Sequence, residues 1–370
     1  MGYADVIKGP LQIGGAGFFA LYLGIVQPAM AAPKCTVRPE NPVVDTTSVL
    51  QGGNLTVGPD TPDGTIIFRQ YFKATHWAYY DCEPSPTPYS YSEVDDFLVL
   101  PLPLSSWSGT PFGGRVYETG VPGIGVAAWY SGTAFPWTRV TRNVAENSYY
   151  AVSFDPSFDI NFIKIGPISA GTISGNMLPT IKTEFVMDDG SRYPVETVSF
   201  SGAINIVSQS CMTPDVYVEL GRHDIAAFKG VGSGMPWVPF NIELQQCPTF
   251  HGTLNDGQNT FYSNDGSAGV GARSPNIIKA SLMPNTTIID DGLAIMGLAD
   301  TGRQAEGIGI QIAIQQGSRL ASFNQPIDFI AGMDGSPTRY LPYLARYIQT
   351  EAEVTPGDAN GTMAFLIEYQ

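Results

Sequence analysis

The chain has 370 residues, enough for two domains of ordinary size. Only 14% of them are charged, the formal net charge is −15, and Lys and Arg never form a run, which excludes a nucleic-acid partner and disfavours an anionic membrane surface. With 41 Gly and 29 Pro, the composition is one of strands and turns rather than helices.

In chain order, residues 1–31 read as a targeting segment. Lys8 is followed by an apolar stretch from Leu11 to Val26, and Ala29-Met30-Ala31 fits the small-x-small cleavage rule, so a signal peptide is expected to be removed after Ala31. Beyond it come short runs of period two between turn residues. Thr183, Phe185 and Met187 alternate before Asp188-Asp189-Gly190. Val216, Val218 and Leu220 alternate, as do Ile308, Ile310, Ile312 and Ile314, and Asp290-Asp291-Gly292 repeats the turn chemistry. Many short strands of this kind predict an all-β chain of sandwiches or barrels. One short helix is allowed over Leu341–Tyr347, limited to a turn or two by Pro342.

The two halves differ. Residues 32–195 hold four of the five tryptophans and many Pro-aromatic clusters, whereas residues 196–370 are plainer and more regular. A boundary is expected near Thr197–Gly202, with Phe200 to Cys211 opening the second domain. An even count of four cysteines in an exported chain suggests disulfides. Three pairings exist, and Cys35–Cys82 with Cys211–Cys247 keeps each bond inside one half. No C-x-x-C spacing occurs, so no metal is expected, and nothing calls for a cofactor.

The stretch from Pro356 to Gln370 is the most informative. Met363, Phe365, Ile367 and Tyr369 fall on one strand face, with Ala364, Leu366 and Glu368 on the other. An apolar edge with no following strand is an aggregation hazard, so either an earlier strand or another protein must cover it. Tyr369 next to last, Gly357 fourteenth from the end, the alternation between them and a cysteine pair near the domain's start make the second half resemble pilin domains of the chaperone–usher pathway. Phe200-Ser201-Gly202-Ala203-Ile204, Phe228-Lys229-Gly230-Val231-Gly232 and Phe240-Asn241-Ile242-Glu243-Leu244 before Cys247 are similar to that family's pattern too. The resemblance implies an incomplete immunoglobulin-like sandwich whose missing strand comes first from a periplasmic chaperone and then from an adjacent pilus subunit, after passage through an outer-membrane usher. It assigns the chaperone and donor-strand contact to Met363, Phe365, Ile367 and Tyr369.

About 165 residues precede that domain where a simple pilin carries its donor arm, an arrangement that resembles two-domain tip adhesins. Val121-Pro122-Gly123-Ile124-Gly125-Val126 is similar to a segment of mannose-binding and type 3 fimbrial adhesins, and by residue chemistry is a turn leading into a strand. The implied function is attachment at the tip of a fimbrium on the bacterial surface, through a host glycan or an extracellular-matrix protein. Sugar recognition uses aromatic faces with a few convergent polar groups. His76-Trp77-Ala78-Tyr79-Tyr80-Asp81, then Tyr89, Tyr91, Asp95 and Asp96, then Trp107, Trp129-Tyr130 and Trp137 supply both. Trp77, Tyr79, Trp107 and Trp137 are the expected ligand contacts, and Trp129, after an apolar run, is expected in the core.

Catalysis is not expected. His76, His223 and His251 sit in no metal or nucleophile pattern, and neither G-x-S-x-G nor H-E-x-x-H occurs. A structural adaptor subunit without receptor binding is the alternative reading, and a secreted β-sandwich hydrolase a third.

Overall fold

In the computed structural model, which describes residues 33–208, 210–255, 260–315 and 319–370, the apolar runs are strands. The helical elements among the described residues are two 3-10 turns, Gly175–Met177 and Ile225–Ala227. The expected signal peptide lies outside the described residues.

The first unit packs two sheets face to face. One has the order Trp137–Val144, Tyr89–Val99, Thr180–Met187, Arg192–Ser201, Val44–Val49, and the other is built on Ile66–Lys73, Ser157–Lys164 and Ile124–Tyr130. Alternate residues point inward, so Phe68, Phe72, Phe158 and Phe162 of one sheet meet Ile181, Val198 and Phe200 of the other. Val121-Pro122-Gly123 is the turn its chemistry demands: Gly123 has φ +79° and the chain enters Ile124–Tyr130 directly after it. Gly190, at φ +86°, likewise closes the hairpin of Thr180–Met187 and Arg192–Ser201. Both expected disulfides, Cys35–Cys82 and Cys211–Cys247, are formed.

The second unit is also a two-sheet sandwich. One sheet runs Val238–Leu244, Arg339–Gln349, Ile308–Ile314, Ile295–Met296, Ile288–Asp290. The other has three strands in the order Pro326–Ile330, Ile277–Pro284, Met363–Tyr369. Ile308–Ile314 is buried on both faces, and Gly309 leaves room for it, since a Cβ there would lie 2.7 Å from Ile295. The expected Gly357 is explained by close approach: a Cβ would lie 2.4 Å from the backbone of Gln304 and Ala305.

Three expectations are corrected. Leu341–Tyr347 is no helix but part of the strand Arg339–Gln349, because Leu341, Tyr343 and Ala345 bury on one face with period two. The boundary near Thr197–Gly202 lies inside the first unit's sheets. Val198, Phe200, Ile204 and Ile206 all join the first core, and Ala203–Val207 pairs with Gly171–Ser174 and Asn54–Thr56, so the first unit continues through Val207. Val216, Val218 and Leu220 do alternate toward the second core, but among the described residues the segment holding them pairs with no strand.

The halves also interlock. Leu254, late in the chain, is buried in the first core, and Phe261–Ser263 adds as a parallel strand beside Ile66–Lys73. Arg273 donates to the carbonyls of Gly52, Asn54 and His251. Asn264 accepts from Thr75 and donates to the His76 carbonyl and to Glu196.

Candidate functional site

Met363–Tyr369 pairs antiparallel with Ile277–Pro284 and, among the described residues, has no sheet neighbour on its other side. Ile277 and Gln370 exchange two backbone hydrogen bonds, each 2.8 Å. In an antiparallel ladder bonded and non-bonded pairs alternate, so Glu368, Leu366 and Ala364 carry the next bonded pairs with Lys279, Ser281 and Met283. The N–H and C=O groups of Tyr369, Ile367, Phe365 and Met363 therefore turn toward the open edge. The side chains of these same four residues face the core: Tyr369 is buried, and Met363, Phe365 and Ile367 are half-buried against it. Leu366, on the opposite face, is 49% exposed.

Across from this edge runs the segment 211–221. Cys211 is anchored through its disulfide to Cys247, and Met212 exchanges backbone bonds with Gln245. Beyond that anchor, among the described residues, the backbone of 213–221 bonds to no other backbone group. Its side chains keep the alternation of a strand: Val216, Val218 and Leu220 are half-buried, and Tyr217 between them is 90% exposed.

Edge and segment bound a groove in two stretches. The larger, about 640 Å³, is floored by Ile242, Leu282, Ile310 and Ile312 and flanked by residues 215–221 on one side and Met363 and Phe365 on the other. The smaller, about 550 Å³, continues past Ile367 to Tyr369 and ends on Pro59 and Asp60 of the first unit. Burial pushes the phenols of Tyr347 and Tyr369 above their ordinary range, so both stay neutral at physiological pH. The groove thus offers an apolar floor and, at Met363, Phe365 and Ile367, backbone groups without a partner among the described residues, the two things an added strand requires. Met363, Phe365, Ile367 and Tyr369, singled out from the sequence, are brought together here. Asp60 and Pro59 were not, since their turn composition carries no signal of a contact 309 residues away.

The aromatic candidates of the first unit are dispersed. Trp107 is held inside its own loop: its indole N–H donates to the Pro111 carbonyl, and the ring packs on the small cluster of Val116, Ala127 and Ile163. Trp137 packs on the first core and stacks on Tyr130. Trp129, expected in the core, instead lies half-buried outside it, under Phe112 and beside the guanidinium of Arg69. Trp77 and Tyr79 stack with centroids 6.1 Å apart. Arg38 lies over the Tyr79 ring and pairs with Asp81, whose hydrogen bond with the 64% exposed Tyr149 raises that phenol. Tyr89 and Tyr91 are buried. Asp95 is fully buried in an ion pair with Arg139 and accepts from Thr183, so it is closed to any ligand, and Asp96 accepts from the Phe97 N–H.

Residues 198–370 match the family model described as fimbrial protein. A fimbrial subunit type 1 of Salmonella typhimurium is 28% identical over 182 residues, 47% of this chain and 82% of that relative. A fimbria adhesin protein of Klebsiella pneumoniae is 24% identical over 331 residues, 86% of this chain and 89% of that relative. Among solved structures, the CupB6 tip adhesin from Pseudomonas aeruginosa aligns over 91% of this chain and 94% of its own at 14% identity, with a TM-score of 0.35, too loose a likeness to argue from.

Proposed function

We propose that this chain, a fimbrial adhesin by its matches to the fimbrial family and to an adhesin along most of its length, joins its fibre by accepting a β-strand from another protein into the groove between 211–221 and Met363–Tyr369. The observation that carries this is the open edge, where unpaired backbone groups and half-buried apolar side chains belong to the same residues, Met363, Phe365 and Ile367. A donor segment with alternating apolar residues would pair with the edge and close the core. Each buried Val, Leu or Ile side chain contributes about 1.5–3 kcal/mol. The donor is a periplasmic chaperone during export through an outer-membrane usher, and the adjacent pilus subunit in the fimbrium on the bacterial surface. The test is periplasmic co-expression with a chaperone of the chaperone–usher pathway. The full chain should be recovered as a complex, and Ile367→Asp should abolish capture; equal capture of that variant would refute the assignment.

At the fibre tip, the first unit would bind a host glycan or matrix protein. Of the four expected contacts, the surroundings favour Tyr79, whose ring stacks on Trp77 and lies under Arg38, the partner of Asp81. Glycan and matrix-protein arrays probed with the chaperone complex test it: Tyr79→Ala should weaken binding about tenfold or more without lowering stability. A structural adaptor that binds no receptor is the second reading, favoured by the inward packing of Trp77, Trp107 and Trp137. No binding by the intact complex on either array would select it.

A further inference from the structure

The groove's far end is closed by the other domain. Tyr369 is the last edge residue whose backbone groups face the open side, and both are taken by Asp60. The Asp60 carboxylate accepts from the Tyr369 N–H at 2.9 Å, and the Asp60 N–H donates to the Tyr369 carbonyl at 3.2 Å. This is the hydrogen bonding an added strand would make at that position, supplied instead by one residue of the first unit. The approach is close enough to demand glycine nearby: a Cβ on Gly58 would lie 1.9 Å from the Tyr369 oxygen. The contact is braced from behind. Asn276, itself buried, donates to the carbonyls of Thr56 and Gln370 and accepts from the Gly252 N–H, and Thr56 donates its backbone N–H to the Gly252 carbonyl. By contrast, the edge-facing groups of Met363, Phe365 and Ile367 have no protein partner among the described residues.

We infer that the first domain sets the register of the incoming strand: Asp60 occupies the pairing position at Tyr369, so a donor can exchange backbone hydrogen bonds with Met363, Phe365 and Ile367 and must stop there. The inference rests on the strand-acceptor reading above. It fixes how much of the partner pairs, and makes the first domain's loop part of the acceptor. A donor segment reaching past Ile367 meets Pro59 and Asp60 rather than a free edge.

Residue-resolved hydrogen exchange on the full chain tests it, with and without a series of alternating Thr-Val peptides lengthened two residues at a time. In the free chain the Tyr369 amide should exchange about tenfold or more slowly than those of Phe365 and Ile367. Peptide should protect Phe365 and Ile367 and leave Tyr369 as it was. Asp60→Ala should release the Tyr369 amide in the free chain, and the longer peptides should then protect it, whereas Asp60→Asn, which keeps an acceptor oxygen, should behave as the parent. If Phe365 and Ile367 become protected but Tyr369 exchanges freely until peptide binds, the edge accepts a strand and the stop at Asp60 is wrong. If no peptide protects Phe365 or Ile367, the acceptor reading itself fails, and the register inference with it.

Discussion

Replacing Leu254 by alanine should weaken the first domain, although the residue lies within residues 198–370, which match the family model described as fimbrial protein. Leu254 is 2% exposed in the first core, its N–H donates to the Ile67 carbonyl, and its carbonyl accepts from Arg69. Phe68 and Ile204 pack at the same spot, and a Cβ on Gly52 would lie 2.6 Å from its side chain, so the site has little freedom to collapse after truncation. A cost of about 3 kcal/mol follows from large-to-small core substitutions. In a unit of this size that is a fall in Tm of roughly 6–12 °C. Tryptophan fluorescence reads the right domain, because Trp77, Trp107, Trp129 and Trp137 lie in the first unit and only Trp237 in the second. Thermal and urea unfolding of the full-length variant should shift the fluorescence transition. A shift below about 2 °C would refute the idea that Leu254 completes the first core. By the same reasoning a fragment ending at residue 195 lacks Val198, Phe200, Ile204, Ile206 and Leu254, and should be far less stable than the same domain in the full chain.

Burial pushes the Glu196 carboxyl up to about 7 from its ordinary 4.5, against the hydrogen bonds from Thr46 and Asn264 that favour its charged form. The folded state therefore holds this proton more tightly than the unfolded one. Its contribution is fully present below pH 4.5 and falls by about 3 kcal/mol as pH rises to 7, so the parent should lose stability over that window relative to Glu196→Gln in urea titrations. Arg139→Ala leaves the fully buried Asp95 without its countercharge and should cost about 3–5 kcal/mol, measured by chemical denaturation. Replacing Cys211 and Cys247 together by alanine should destabilise the second domain by about 2–4 kcal/mol and loosen the groove wall, seen as faster hydrogen exchange over 211–221.

The period-two pattern made the strands of the second domain legible, because burial on one face of a sheet writes itself directly into alternate residues such as Leu341, Tyr343 and Ala345. The residues alone also allowed a short helix over Leu341–Tyr347, since Pro342 shortens a helix without excluding it, although the residue lies inside a long strand. The groove's apolar edge could be read from Met363, Phe365 and Ile367 for the same reason. Its end at Asp60 could not, since a loop meeting a strand 309 positions away leaves no periodicity in either. The domain boundary was misplaced because Phe200 and Ile204 look alike whichever core receives them. Alternation tells that a residue is buried, and not against which sheet. The same limit applies to the aromatics: Trp107 in a Ser-rich loop reads as an exposed ring, whereas Pro111 accepts its indole N–H and folds the loop around it.

If another protein's strand fills the groove, photo-cross-linking in cells assembling fimbriae should capture it there. Val218→benzoylphenylalanine places the reactive group in the groove wall, and Leu366→benzoylphenylalanine places it on the opposite face of the edge strand. Position 218 should cross-link to a second polypeptide, and position 366 should not. Fimbriae that assemble normally while position 218 cross-links only within its own chain would contradict strand insertion.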